Sequence, residues 1–293
     1  MVIELNIVSS SGCIVADGGW GTELQKIGLE PGASPEHWNL IHPEQVAGVA
    51  RSYVEAGARI IITNTFGGNA FILGRHGLAE RLEEINRRGA ELSLQEAVDR
   101  AFVFGSMGPT GKLLQTGEVT EAEIFDSYSR QSEALWRAGV HAILIETMID
   151  LDEMLIAARA ARTATPLPLV LSMTFDSGKE KTQTMMGVTP ERAVAVMEEA
   201  GAWMVGANCG LGPEFYVQVC RKMRAATARP IWIKANAGIP QMVGTEVVYL
   251  QGPETFGRFA LELREAGANV VGGCCGTTPA HIRQLRRLLA SVG

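Results

Sequence analysis

One pattern recurs through nearly the whole chain: a short apolar run, a Gly-rich or polar loop, and a segment with helical spacing. The runs are mostly apolar without strict alternation, which is typical of strands buried on both faces of a parallel sheet. They are Cys13–Ala16, Arg59–Thr63, Phe102–Gly105, Ala142–Ile145, Leu169–Met173, Met204–Ala207, Ile231–Ala235 and Asn269–Gly272. Eight such units in 293 residues predict an α/β protein, a single (β/α)8 TIM barrel with residues 1–293 as one domain.

A doubly wound open sheet is the competing architecture for alternating strands and helices. Its first loop usually carries a G-x-G-x-x-G fingerprint that binds a dinucleotide. The corresponding loop here, Asp17–Thr22, reads Asp-Gly-Gly-Trp-Gly-Thr and lacks that spacing. The barrel is therefore the favoured fold.

The predicted helices carry start and stop signals at their ends. They span Pro43–Glu55, Leu78–Asp99, Glu121–Ala138, Leu151–Thr163, Pro190–Ala200, Pro213–Ala225, Pro253–Ala266 and Pro279–Leu289. Thr189-Pro190 and Thr278-Pro279 are typical of an N-cap followed by proline at the first helical position. A repeated Ala-Gly pair precedes alternate strands, and its glycines are predicted to end helices in the left-handed conformation: Gly57, Gly139, Gly201 and Gly267.

Charge and hydropathy exclude several classes of function. The chain has 26 Lys and Arg against 32 Asp and Glu, a net charge of −6, and no basic cluster. We therefore expect no nucleic-acid partner. No apolar run approaches the roughly 20 residues that cross a bilayer, and residues 1–6 do not resemble a signal peptide. A cytoplasmic protein without a membrane partner is expected, and homo-oligomerisation stays open.

Three of the five cysteines follow predicted strands: Cys209 after the sixth, and Cys274 with Cys275 after the eighth. Catalytic groups of β/α barrels lie at the C-terminal ends of the strands, so the fold would bring these thiols to one mouth. Thiolates favour zinc, and three protein ligands leave a fourth position open. Small buried side chains and a redox switch at the adjacent pair are the alternatives. Cys13 and Cys220 are assigned to the core.

Further polar residues follow strand ends at the same predicted face. Asp17 ends the first run, Thr65 follows the second and Glu146 follows the fourth. Glu146 interrupts an apolar run at an energetic cost, whereas Asp17 before two glycines is also simple turn chemistry. Two carboxylates near a zinc site would suit a substrate with an ammonium group, such as an amino acid. Lys234, near the end of the seventh run, raises the different hypothesis of a Schiff-base lyase, or of a stem packed on apolar surface.

These segments together resemble the homocysteine S-methyltransferase family, which includes betaine–homocysteine methyltransferase and the first domain of cobalamin-dependent methionine synthase. The resemblance runs in order over nearly the whole chain, and the double-cysteine segment is specific. The matching segments are Asp17–Thr22, Thr63–Gly67, Gly108–Gly111, Glu146-Thr147, Gly206–Pro213, Asn236–Gly238 and Gly272–Pro279. The resemblance implies a homocysteine-binding-type barrel that methylates the thiol of homocysteine to give methionine.

The resemblance also implies a role for individual residues. Zn²⁺ would be held by the three cysteines at the strand ends, Cys209, Cys274 and Cys275, and the sulfur of homocysteine would take the open position. Asp17 and Glu146 would hold the substrate ammonium, and the backbone near Gly18 and Thr65 would line the pocket. No catalytic residue beyond the zinc site is implied, because coordination to zinc itself can deprotonate a thiol.

The methyl donor is less narrowly implied. Betaine-using animal members carry a tyrosine directly after the strand-four glutamate and aromatic residues that hold a quaternary ammonium. Here Thr147 follows Glu146, and several segments look closer to the methionine synthase module, which receives its methyl from methylcobalamin on a separate domain. A betaine-type or S-methyl onium compound and a methylcorrinoid protein both stay open as donors. Two alternative functions also stay open. The chain could be the acceptor subunit of a multi-component corrinoid methyltransferase that uses another thiol, or a non-catalytic subunit that binds zinc or an amino acid.

Overall fold

A sheet of eight parallel strands forms the centre of the molecule. The computed structural model describes residues 12–244 and 246–291. Its strands are β1 (Ile14–Val15), β2 (Ile60–Ile62), β3 (Phe102–Met107), β4 (Ala142–Met148), β5 (Leu169–Met173), β6 (Met204–Cys209), β7 (Ile231–Ala235), β8 (Gln241–Val243), β9 (Glu246–Val248) and β10 (Val270–Gly273). All but β8 and β9 belong to the parallel sheet, and those two form an antiparallel hairpin after β7.

The parallel sheet curls into a barrel. Its strand order is β1-β10-β7-β6-β5-β4-β3-β2, and a parallel bridge between Ala16 and Ile60 joins the two outer strands. The barrel strands are almost wholly buried, because the sheet packs helices on its outer face and fills its interior with side chains. Inside, Phe104 and Trp232 stack with ring centroids 5.8 Å apart. The predicted (β/α)8 TIM barrel is confirmed.

The helices surround this barrel. They are α1 (Trp20–Lys26), α2 (Trp38–Ile41), α3 (Pro43–Ala56), α4 (Ala70–Gly74), α5 (Leu82–Ala97), α6 (Glu121–Ala138), α7 (Leu151–Ala164), α8 (Pro190–Glu199), α9 (Pro213–Ala226), α10 (Pro253–Glu265) and α11 (Pro279–Ala290). The eight predicted helices are present, although the segment predicted from Leu78 opens as a 3-10 turn, Ala79–Arg81, before α5. Short helices α1, α2 and α4 and the hairpin were not predicted. Nowhere in residues 12–244 and 246–291 does a helix combine the length and apolarity that crossing a membrane requires.

The predicted helix-end signals are confirmed. Thr189 caps α8 by accepting a hydrogen bond from the backbone N–H of Arg192, and Thr278 caps α11 in the same way through Ala280. The four glycines predicted to end helices all have positive φ, between 80° and 104°. A β-carbon is disfavoured in that conformation, which is why glycine occupies these positions. The helices therefore stop where the next strand must begin.

We predict that Thr189→Ala lowers the free energy of unfolding by about 1 kcal/mol, because the first turn of α8 loses its side-chain cap. Urea denaturation followed by circular dichroism measures the change. Thr163→Ala is the matched control, since Thr163 is exposed within α7 and its hydroxyl only donates to the carbonyl of Arg159. Equal losses of stability in both variants would contradict the capping role.

Candidate metal and acceptor site

The three cysteines predicted as ligands come together at the C-terminal mouth of the barrel. The sulfur atoms of Cys209, Cys274 and Cys275 all lie within 4.8 Å of one another. Strand register explains the meeting, because Cys209 pairs with Ala235 on β7, and Ala235 pairs with Gly273 on β10. Cys209 is therefore level with Gly273, and Cys274 and Cys275 are the next two residues along the neighbouring loop. All three are free thiols.

Hydrogen bonds from one side chain and from the backbone hold the two cysteine loops against each other. The side chain of Asn236, which follows β7, donates from Nδ2 to the carbonyl of Gly210 at 2.8 Å. Its Oδ1 accepts from the N–H of Cys275 at 3.0 Å. The N–H of Cys274 donates to the carbonyl of Ala235 at 2.7 Å. One buried amide thus connects the loop after β6 with the loop after β10, and the sulfur positions are fixed from both sides.

Cys209 occupies a strained backbone position at the end of β6. Its φ is 64°, in the left-handed region that non-glycine residues rarely adopt. The carbonyl of the preceding Asn208 accepts hydrogen bonds from the Tyr216 hydroxyl at 2.9 Å and from the Thr174 hydroxyl at 3.0 Å. These two buried donors stabilise the turn of the chain that aims Cys209 into the cluster.

Crowding of the sulfurs makes the cluster suited to a cation. Hydrogen bonds from Cys209 and Cys274 lower the pKa of the Cys275 thiol well below its usual range. Hydrogen bonding to Cys274 and Cys275, together with burial, raises the pKa of Cys209. The protonation of each sulfur thus depends on the other two. A soft divalent cation would instead favour the thiolate form of all three, and a donor set of three cysteines with half-buried side chains fits Zn²⁺.

Glu146 is aimed into the mouth by an irregularity of β4. The pairing of β4 with β5 shifts register between Ile145 and Met148, as in a β-bulge, which re-aims the intervening side chains. Glu146 Oε1 accepts from the Ser106 hydroxyl at 2.6 Å, and Oε2 accepts from Asn208 Nδ2 at 3.1 Å. Burial raises the pKa of Glu146 to about 7, against the opposing effect of the Lys234 ammonium. A ligand ammonium at this place would stabilise the ionised carboxylate.

Asp17 lies in the mouth but its carboxylate is already engaged. Oδ2 accepts from Trp20 Nε1 at 2.7 Å and from the N–H of Ile62 at 2.8 Å. Oδ1 accepts from Lys234 Nζ at 2.5 Å. Burial lowers the pKa of Lys234, but Asp17 and Glu146 outweigh that effect, so the pKa is raised overall. A protonated amine is no nucleophile, which disfavours a Schiff base at Lys234.

Gly18 and Thr65 lie in tightly packed parts of the mouth. A β-carbon on Gly18 would come within 2.7 Å of the Tyr53 ring and 2.9 Å of the Thr277 hydroxyl, so only glycine fits. The Thr65 hydroxyl donates to the carbonyl of Ser106 at 2.7 Å and is fully buried. Their role in binding a substrate stays a prediction.

Sequence reasoning missed several residues that build this site. Ser106 was not considered, and Asn208 and Asn236 entered only within the segments Gly206–Pro213 and Asn236–Gly238 that carry the family resemblance. A polar residue inside an otherwise apolar strand run is the signal that could have found Ser106. Cys13 and Cys220 pack in or against the core as expected, and burial raises the pKa of each to about 12.

Comparison with known proteins decides the family. A family model described as homocysteine S-methyltransferase matches residues 14–289. The chain belongs to this family. The resemblance read from the sequence motifs is confirmed.

Two similar curated proteins are methionine synthases. The enzyme of Mycobacterium tuberculosis is 32% identical over 310 residues, which cover 99% of this chain and 26% of the relative. That of Mycobacterium leprae is 32% identical over 298 residues, covering 94% of this chain and 24% of the relative. The chain thus spans about a quarter of the length of these relatives. Among solved structures, the metallated homocysteine methyltransferase MmuM of Escherichia coli superposes with a TM-score of 0.80 at 21% identity, covering 96% of this chain and 98% of its own, which supports the fold.

We predict that Tyr216→Phe weakens zinc binding by about tenfold, because the turn that presents Cys209 loses one of its two hydroxyl donors, and outer-shell partners commonly contribute that much. Competition with a chromophoric chelator measures the affinity. Tyr128→Phe is the control, since that buried hydroxyl contacts Gly108 and Glu153 instead. Unchanged affinity in Tyr216→Phe would show that Thr174 alone suffices.

Proposed function

We propose that this chain is a zinc-dependent homocysteine S-methyltransferase in which residues 1–293 act as one homocysteine-binding-type barrel domain. The observation that carries the proposal is the convergence of Cys209, Cys274 and Cys275 within 4.8 Å at the barrel mouth. In this proposal the three side chains are the protein ligands of Zn²⁺, and homocysteine binds through its sulfur at the position that they leave open. Family membership supports the acceptor, and the donor set supports the metal.

The bound zinc would supply the charge that keeps the acceptor sulfur as a thiolate at neutral pH. The other requirements fall to the residues of the chain. Glu146 faces the mouth with its oxygens oriented by Ser106 and Asn208, and we assign it to the substrate ammonium. Once the sulfur of homocysteine is a thiolate, methyl transfer removes no further proton and needs no general base. The residues of the chain then have to align the methyl donor with the sulfur and to exclude water.

A half-buried tyrosine after the β8–β9 hairpin supports exclusion of water. The ring of Tyr249 packs so closely over Gly276, the neighbour of Cys275, that a β-carbon on Gly276 would lie 2.3 Å from the ring. The Tyr249 side chain thereby lies against the loop that carries Cys274 and Cys275. This placement favours a reaction in a partly enclosed mouth over one in open solvent.

The surface around the mouth favours a methyl donor carried by another protein. The loops that follow β2, β3, β5 and β7 share one face of the barrel and carry large apolar side chains that are between 40% and 67% exposed. These side chains are Phe66, Leu113, Met185, Met186, Ile239, Met242, Val243, Val247 and Leu250. Exposed apolar residues concentrated in this way mark interaction surfaces. Together with the methionine synthase relatives, they favour a methylcorrinoid protein over a small onium compound.

We predict that Cys274→Ala abolishes stoichiometric zinc binding and methionine formation, because two thiolates cannot replace a site built from three. Elemental analysis of the purified protein measures the metal, and a homocysteine methylation assay measures the activity. Cys220→Ala removes a thiol of the same kind from α9, far from the cluster, and is expected to keep the zinc. A Cys274→Ala protein that is metal-free and fully active would overturn the proposal.

The donor is tested by supplying the zinc-loaded protein and homocysteine with betaine, S-methylmethionine, methyltetrahydrofolate or methylcobalamin, one at a time. We expect methionine from methylcobalamin, as the soluble probe for a corrinoid donor, and none from the onium compounds. Turnover with betaine or S-methylmethionine would contradict the donor assignment and leave the acceptor intact. Silence with all four would contradict free-standing catalysis on homocysteine.

A further inference from the structure

The first and the last strand of the barrel end beside the metal-ligand candidates. Strand β1 has only two residues, and both pair with β10. The loop after β1 at residues 17–19, called the first loop below, therefore lies beside the loop after β10 at residues 274–277, called the last loop. The last loop begins with Cys274 and Cys275. Since the ladder between β1 and β10 is so short, the relative position of the two loops depends on contacts made beyond the strands.

The backbone of the first loop packs directly on Cys274. A β-carbon on Gly19 would lie 2.6 Å from the carbonyl oxygen of Cys274, so only glycine allows this approach. The N–H of Gly19 donates to the Thr277 hydroxyl at 3.0 Å, and that hydroxyl donates to the Cys274 carbonyl at 2.6 Å. The Thr277 hydroxyl thus connects the first loop with a residue that carries one of the three sulfurs.

One side chain outside both loops connects them a second time. Tyr53 lies on α3 and is fully buried. Its hydroxyl lies 3.0 Å from the carbonyl oxygen of Gly19 and 3.1 Å from that of Thr277, so its proton is shared between the two loops. The ring also packs against Gly18, where a β-carbon would lie 2.7 Å from it. A helix of the outer ring therefore holds both loops at one point.

Core packing alone does not require this hydroxyl. Phenylalanine would fill nearly the same space without a polar atom, and a buried hydroxyl is costly unless it finds a hydrogen-bond partner. The partners of the Tyr53 hydroxyl are backbone carbonyls of the first loop and of the last loop. The polar atom therefore acts on the position of these loops, whereas the ring fills the core.

We propose that Tyr53 is a positioning residue for the metal centre: by donating to both loops, it sets the last loop against the first and so presents Cys274 and Cys275 to Cys209. Its effect is carried by the backbone and by the Thr277 hydroxyl. The inference rests on the proposed function, in which the three sulfurs bind Zn²⁺, and adds to that function a residue that acts from outside the ligand set.

Tyr53→Phe keeps the ring and removes the hydroxyl, so it separates positioning from core packing. Zinc affinity is expected to fall about tenfold, the lower end of the range for outer-shell partners of metal ligands. Competition with a chromophoric chelator measures the affinity. Tyr128→Phe is the matched control, because it also removes a fully buried hydroxyl, one that contacts Gly108 and Glu153 instead. Its zinc affinity is expected to equal that of the unaltered protein.

A second measurement distinguishes positioning from general support of the fold. Zinc that binds only the folded protein stabilises it by an amount that grows as the Kd falls. The rise in melting temperature on adding zinc is therefore expected to be smaller in Tyr53→Phe than in Tyr128→Phe. A residue that only supports the fold would lower the melting temperatures of the zinc-free and zinc-loaded proteins alike, and an unchanged rise in Tyr53→Phe would contradict the inference.

Thr277→Val interrupts the same connection from the side of the last loop. Because Tyr53 and Thr277 act on one loop, the double variant is expected to lose less zinc affinity than the product of the two single losses. Losses that multiply in full would show that the two residues act independently and would overturn the inference. If Tyr53→Phe did not fold, Thr277→Val would decide alone, with weakened zinc binding expected and unaltered binding overturning the inference.

Failure of the inference is distinguishable from failure of the proposed function. A Tyr53→Phe protein that binds zinc as tightly as the unaltered protein would overturn the role of Tyr53 and leave the proposed function standing. If the unaltered protein bound no zinc, the proposed function would fail and the inference with it.

Discussion

The parallel register of β6, β7 and β10 is the constraint on which the site depends. It sets Cys209 beside Ala235 and Ala235 beside Gly273, so that the ends of three neighbouring strands lie level. A slip of one residue in any of these strands would turn its side chains to the opposite face of the sheet. The register is held by fully buried residues such as Ile231 and Val271. The geometry of the sulfur cluster is therefore a consequence of core packing.

The same constraint gathers charge at one end of an otherwise apolar barrel. Below the mouth, the stacked rings of Phe104 and Trp232 fill the interior. Asp17, Glu146 and Lys234 lie above them and are nearly inaccessible to water. Burying such groups costs more than one ion pair returns, unless further hydrogen bonds satisfy them. The hydrogen bonds that Asp17 and Glu146 accept meet that need.

The sequence allowed the fold and the cysteine site to be predicted because both follow from local patterns. Apolar runs, caps and glycine stops each act within a few residues, and barrel topology then brings Cys209 to Cys274. The helices missed, α1, α2 and α4, have seven, four and five residues, too few for a period of 3.6 to stand out. The pairing of Lys234 with Asp17 was missed for another reason, since it joins side chains 217 positions apart, and no local pattern encodes it.

Two strained backbone positions lie beside Glu146 and at Cys209, and the same residue, Asn208, holds both. Thr147, which follows Glu146, and Cys209 both have left-handed φ values, 61° and 64°, and such positions cost about 1–3 kcal/mol each unless the surroundings enforce them. The Asn208 side chain enforces the first, because it accepts from the Thr147 N–H at 2.9 Å and donates to the Thr147 hydroxyl at 2.7 Å. The backbone carbonyl of Asn208 holds the turn at Cys209, because it accepts hydrogen bonds from the hydroxyls of Tyr216 and Thr174. Since one residue holds both turns and also donates to Glu146, the distance between carboxylate and sulfur cannot relax at one end without disturbing the other. Asn208 thereby keeps a fixed separation between Glu146 and the sulfur cluster, the two groups that would hold an amino acid thiol.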